Sequence, residues 1–205
     1  LRKKLSISNL MSATVDAFDR IDILVNASRA TVLSDPLSPE EDQVEEMLSQ
    51  NLMTALRVSQ MAARRMILQA AADTEGAAPA GTIINLSSVT ARATRPELFG
   101  YSVACAAIEQ MTRSLALALA PSRIRVNCVA PGSVMSASLQ SALRSDPDWR
   151  EEILAGTPLG RIAAPSELAE VVQFLASDAS AFMTGQVLTL DGGRSLLDVV
   201  AAPGH

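Results

Sequence analysis

The sequence predicts an α/β fold, a doubly wound parallel sheet with helices on both faces. Three observations predict it. Short apolar runs rich in β-branched residues recur along the chain, at IDILVNA (21–27), TIINLS (82–87), IRVNCVA (124–130) and QVLTL (186–190). They are continuous rather than alternating, the pattern of strands buried on both faces. Long segments with helical spacing separate them, as the crossovers between parallel strands require. Three of the runs also end in polar or turn-forming residues: Asn26, Ser87–Ser88 and Pro131–Gly132–Ser133. Those are the carboxyl ends at which such sheets hold their ligands.

Each element has its own signal. Ile7, Leu10, Met11, Thr14, Val15 and Phe18 recur at helical spacing, so 7–18 is an amphipathic helix. The first strand follows at 21–27. Ser38-Pro39-Glu40-Glu41 reads as a helix start, with Ser38 capping and Pro39 in the first position. A long helix is expected from about 50 to 71, with Met53, Met61 and Met66 at core-like spacings. The Gly, Pro and Asp content of 72–81 marks a loop, and the insertion 72–80 is expected at the surface. The second strand leads to a helix over 101–119, and the third strand to a turn at Pro131–Gly132. Short helices are expected at 136–144 and 148–155. Pro165-Ser166-Glu167 opens a helix to Ala176, and the fourth strand closes at Asp191-Gly192-Gly193. No internal repeat appears, and residues 1–205 form a single domain.

Composition excludes several classes of function. A net charge of −5 and seventeen scattered basic residues, clustered only at RKK (2–4), argue against a nucleic-acid partner. The apolar runs fall short of the roughly 18–20 residues of a membrane span, and the N-terminus lacks the apolar core of a secretory signal. Cys105 and Cys128 lie in apolar segments, as free buried thiols of a cytoplasmic protein would. The one histidine is His205, the last residue, which leaves no histidine-based catalysis and no metal site.

RIDILVNA, QNL, INLSS, YSVACAAIEQMTRSLA, RIRVNCVAPG, TPLGR, PSELAEVVQFLASD and TGQVLTLDGG occur in that order with fitting gaps. Over its whole length the chain thereby resembles the short-chain dehydrogenases/reductases, and among them the 3-oxoacyl-[acyl-carrier-protein] reductases. The resemblance implies a Rossmann-like fold and hydride transfer between NAD(P)(H) and a carbonyl or alcohol substrate, such as a 3-oxoacyl thioester or a small ketone. It implies Tyr101 as the proton donor or acceptor and Ser88, thirteen residues earlier, as the hydrogen-bond donor to the carbonyl oxygen. Asn51 of QNL corresponds to the asparagine that helps hold a proton-relay water. Asn26 and Ala27 fall in the loop beside the cofactor's adenosine. Pro131 and Gly132, with Ser136 where a threonine often stands, fall in the loop lining the nicotinamide, and Tyr101 also faces the cofactor. Relatives assemble as dimers or tetramers through the helices corresponding to 50–71 and 101–119, so a homo-oligomer is expected.

Three departures from the pattern stand out. The family's lysine, four residues after the tyrosine, is Cys105 here. An ammonium about 4 Å from the phenol contributes roughly 4 kcal/mol at an effective dielectric of 20, or about three pKa units. A neutral thiol contributes no such charge. Lys3 and Lys4 are the only lysines, while Arg92 or Arg95 in the loop before Tyr101 offers a charge. Secondly, the family's NNAG reads NASR (26–29), either through loss of an asparagine or with Arg29 in place of the glycine. Thirdly, no group of glycines follows a strand with dinucleotide-binding spacing. About sixty residues of the family pattern, two strands with their helices, are absent ahead of Leu1, so an N-terminally truncated domain is expected. The cofactor expectation is conditional on that segment. These departures keep a second reading open, a catalytically impaired family member serving as scaffold or oligomer subunit. A third reading, a cofactor-free enzyme on this fold, lacks a cation at position 105. Trp149 lies in the family's mobile substrate segment, where it either covers the substrate or anchors the loop.

Overall fold

The computed structural model describes residues 4–72 and 79–198. Four strands, β1 (Ile23–Asn26), β2 (Gly81–Leu86), β3 (Ile124–Pro131) and β4 (Val187–Leu190), lie side by side in chain order and pair in parallel. The helices are α1 (Lys4–Phe18), α2 (Val44–Met47), α3 (Thr54–Ala72), α4 (Phe99–Leu119), α5 (Ala137–Ser145), α6 (Asp148–Ala155) and α7 (Pro165–Ala176). Because every strand runs the same way, Asn26, Ser87–Ser88 and Pro131–Gly132 all emerge at one edge of the sheet.

Alternation along β2 and β3 divides the core between two layers. Ile83, Ile124 and Val126 meet Ala62, Ala63 and Met66 of α3 and Ala116 of α4, and α1 closes this layer with Met11 and Val15. Ile84 and Val129 meet Leu175 of α7 on the opposite face. The expected double winding is therefore present. Of the three methionines, Met66 is fully buried, while Met53 and Met61 are half-buried.

Three sequence expectations need correction. β1 is not buried on both faces: Leu24 packs into the α3 layer, but Ile23 and Val25 are 51% and 39% exposed. Among the described residues, no helix covers that face and no strand pairs with the outer edge of β1. Nor does a helix begin at Pro39. The amide of Glu41 donates to the carbonyl of Ser38 in a tight turn, and Gln43 sits in the left-handed region at φ 56°, which no helix tolerates internally. α2 starts only at Val44, whose amide donates to Asp42 Oδ1 at 2.8 Å. The helical path then continues through a π-helical turn (Leu48–Met53) into α3. Finally, one helical stretch, Pro96–Ser122, is long and apolar enough by length and composition to cross a bilayer. Here it is the core helix of the fold, burying Tyr101, Ala104, Cys105, Ile108, Glu109, Thr112 and Ala116. Of the insertion expected at the surface over 72–80, residues 73–78 lie outside the described residues, and Ala80 is buried.

Candidate active site

α4 delivers Tyr101 because Gly100 lets its first turn cross a backbone at close range. A Cβ at Gly100 would lie 2.7 Å from the Asp42 carbonyl oxygen and 2.8 Å from the Gln43 backbone. That crossing seats the Tyr101 ring, 4% exposed, against Met47, Ala104 and Cys105. Burial pushes the phenol above its ordinary pKa. The Arg29 guanidinium pulls it down, the Cys105 thiol pushes it up, and the Ser88 hydroxyl pulls it down again.

Arg29 reaches the phenol from the loop after β1, its Nη1 donating to Tyr101 Oη at 2.9 Å. Asn51 holds that loop. Its Oδ1 accepts from the Ala30 amide at 2.8 Å, and its Nδ2 donates to the Ala30 carbonyl at 2.9 Å. Asn51 lies in the π-helical turn, a local widening that re-aims side chains and often marks functional positions. A small cavity of about 10 Å³ remains between Asn51, Arg29, Tyr101 and Cys105, on the order of the space one water needs.

Ser88 follows β2 as the cap of a short helical turn, its Oγ accepting from the Thr90 amide at 3.3 Å. It opens onto a cleft of about 300 Å³ lined also by Thr90, Gly132, Ser133, Trp149 and Arg194. Gly132 belongs here for a steric reason: a Cβ would stand 2.9 Å from Asp191 Cβ, so only glycine lets β3 end against the Asp191 turn. Pro131 closes β3 just before it. Ser136 lies farther along and caps α5, its Oγ accepting from the Leu139 amide at 3.2 Å. Trp149, 47% exposed, forms part of the cleft wall.

The structure brings Asn51, Ser88 and Tyr101 into one neighbourhood, with Gly132 lining the cleft and Pro131 just before it at the end of β3. Asn26 lines the small cavity together with Arg29, Asn51, Tyr101 and Cys105, and its amide is also engaged by neighbours. Asn26 Nδ2 donates to Ser59 Oγ at 2.9 Å and Asn85 Oδ1 at 2.8 Å, and Asn85 in turn donates to Thr112 Oγ1. Asn26 is thus tied into a polar seam joining β1, β2, α3 and α4, and Ala27 follows it on the exposed loop. Neither Arg92 nor Arg95 supplies a charge at Tyr101. Arg92 pairs with the buried Glu109 at 3.0 Å, and Arg95 with Glu97 at 2.6 Å. Cys105 is 2% exposed, with its thiol pushed up by burial, and it packs beside Met47 and Ala104 with the thiol against the Tyr101 and Thr90 hydroxyls. Cys128 is likewise buried and free, and burial pushes its thiol up to about 11. Sequence reasoning located Arg29 but missed its direction; the one signal was an arginine in a loop whose family pattern ends in glycine.

A parallel sheet with helices on both faces, and with a buried tyrosine, a serine and an asparagine gathered at its carboxyl edge, is a Rossmann fold. A family model described as enoyl-(acyl carrier protein) reductase matches residues 1–195, and this chain belongs to the short-chain dehydrogenase/reductase family. It is 34% identical over 187 residues to the 3-oxoacyl-[acyl-carrier-protein] reductase FabG of Thermotoga maritima, covering 91% of this chain and 71% of that protein. The FabG of Chlamydia trachomatis is 34% identical over 197 residues, covering 93% and 73%. Among solved structures, a gluconate 5-dehydrogenase from Burkholderia cenocepacia J2315, in complex with NADP and tartrate, superposes with a TM-score of 0.82. It shares 28% identity over 96% of this chain and 73% of that one.

Proposed function

We propose that this protein interconverts a carbonyl and an alcohol with a nicotinamide cofactor, on a substrate such as a 3-oxoacyl thioester or a small ketone. The observation that carries the reading is the buried Tyr101 phenol, held by a guanidinium at 2.9 Å beside Ser88. The FabG relatives and the NADP complex of the gluconate dehydrogenase support it.

The residues present fit the nicotinamide end of NAD(P). Thr90 lines the cleft and its buried hydroxyl has no well-formed hydrogen bond, lying only against the Cys105 thiol, so it is a polar group that a ligand would better satisfy. Tyr101, Pro131 and Gly132 would hold that end. No described strand is followed by a glycine-rich turn suited to the diphosphate. When bound, the nicotinamide supplies or accepts the hydride. Tyr101 Oη moves the matching proton at the substrate oxygen, and Ser88 Oγ donates a hydrogen bond to that oxygen as its charge grows. Asn51 holds the loop that carries Arg29. The cleft wall of Trp149, Thr90 and Arg194 meets the substrate. The test is NAD(P)H oxidation followed with 3-oxoacyl thioesters and small ketones. Turnover no faster than that of Tyr101→Phe sinks the reading.

The burial of Cys105 favours a second reading, a family member retained as a scaffold or subunit. Calorimetry separates the two, since tight NAD(P)H binding by the isolated protein argues against the scaffold. In either case we propose self-association across α3 and α4, which leave Leu68 and Leu117 67% and 79% exposed. Sedimentation of a monomer would reject this.

A further inference from the structure

We propose that Arg29 is the positioning residue for Tyr101 in this protein, supplying from the loop after β1 the positive charge that position 105 lacks. Four observations converge on it. Its Nη1 donates to Tyr101 Oη at 2.9 Å, so the charge lies at the atom that would gain or lose the proton. Its loop is fixed rather than free, because Asn51 grips Ala30 through both amide and carbonyl. The neighbouring arginines are committed elsewhere, Arg92 to Glu109 and Arg95 to Glu97. Cys105 fills the space one turn down α4 and brings no cation.

The surroundings of the phenol make the effect readable. The titratable or charged groups facing it are Arg29 from the loop after β1 and Cys105 from α4 itself. α2 and the π-helical turn contribute Met47 and Leu48, and the turn after β2 contributes Ser88 and Ala91, all uncharged. Glu109, farther along α4, acts on Cys105. Burial disfavours the tyrosinate and the guanidinium favours it. Removing the guanidinium takes away the larger of the two influences that favour the tyrosinate, leaving only the Ser88 hydroxyl against burial, and must raise the pH at which Tyr101 ionises. The chemical consequence rests on the hydride-transfer reading; the ionisation itself does not.

Tyr101 is the only tyrosine in the chain, so a fluorinated tyrosine incorporated biosynthetically reports on this site alone. A fluorotyrosine of lowered intrinsic pKa brings the titration into a range where the chain is folded. Fluorine NMR then follows it, and circular dichroism checks the fold at each pH. Arg29→Gln is expected to raise the midpoint by about one pH unit, and Arg29→Lys to restore most of the shift. Cys105→Lys added to Arg29→Gln should bring the midpoint back down. In the unaltered protein, added salt should raise the midpoint, because Arg29 is solvent-exposed and its charge is screened. The salt effect should be smaller in Arg29→Gln. An unmoved midpoint in folded Arg29→Gln, or equal salt dependence in both proteins, overturns the proposal. Absence of turnover alongside the expected shift would reject the hydride-transfer reading and leave the role of Arg29 standing.

Discussion

Tyr101 and Glu109 stand two helical turns apart on α4, with Cys105 between them, and their surroundings are built on opposite lines. Glu109 is 5% exposed and fully engaged: Ser87 Oγ donates to one oxygen, while Arg92 at 3.0 Å and Arg113 at 3.6 Å pair with the other. Its neighbours supply more positive charge than it carries. Tyr101 is buried just as deeply, yet receives one guanidinium, from a loop that is itself exposed. One helix face thus holds a structural ionisable group saturated with partners and a second whose protonation stays sensitive to its surroundings. Perturbed, incompletely compensated groups are the ones suited to proton transfer.

The sharpest way to separate the two is to remove each group's function in turn. Tyr101→Phe should lower turnover by about 10²–10⁴-fold while changing stability by about 1 kcal/mol or less, since it removes one hydrogen bond to an exposed partner. Steady-state kinetics and urea denaturation check the two halves. Cys105→Lys places an ammonium between Tyr101 and Glu109. In the alcohol-oxidising direction, where the tyrosinate is the base, turnover near neutral pH should rise by up to about tenfold for each pKa unit by which Tyr101 falls, and the optimum of the pH–rate profile should move toward lower pH. An unchanged profile would mean that the new ammonium is captured by Glu109, which would itself sharpen the contrast.

Arg92→Ala acts at the other end of the helix. Glu109 keeps the Ser87 hydrogen bond and, of its two ion pairs, only the longer one to Arg113. A loss of about 1–3 kcal/mol in urea denaturation is expected, with the ionisation of Tyr101 unmoved. The smallest effect lies outside the comparison and serves as its control. Glu167 accepts from Arg161 at 2.6 and 2.7 Å and from the Ala164 amide at 2.8 Å, which holds its carboxyl at about 2. A lowered folded pKa means stability present above the ordinary carboxylate pKa and lost as pH falls toward about 2. Glu167→Gln should therefore lower the melting temperature slightly at pH 7 and less at pH 3.

Much of this architecture was legible because strand and helix periodicities are local. The ranges of α6 and α7 follow directly from their polar starts and apolar stripes, and the strands from continuous β-branched runs. The failures have specific causes. A continuous apolar run does not say whether a second layer covers it, so the exposure of Ile23 and Val25 was invisible. Ser38-Pro39 carries helix-start chemistry, but the left-handed Gln43 forces the reversal first. Asn51, Ser88 and Tyr101 were singled out by the family resemblance, through motifs that occur in order along the chain. Arg29 was not assigned to Tyr101, because the two lie 72 residues apart and no spacing rule connects a loop arginine to a helix tyrosine.

What the sequence determined by itself was the layer order, the strands whose ends form the site and the absence of a lysine one turn after Tyr101, since each is written in neighbouring residues. Only the tertiary structure decided which charges meet. Arg92, nine residues before Tyr101, turns to a buried carboxylate that needs it. Arg29, on a distant loop clamped by Asn51, reaches the phenol. The reason is that a charge goes where desolvation leaves an unsatisfied partner, and that demand exists only once the helices and strands have packed.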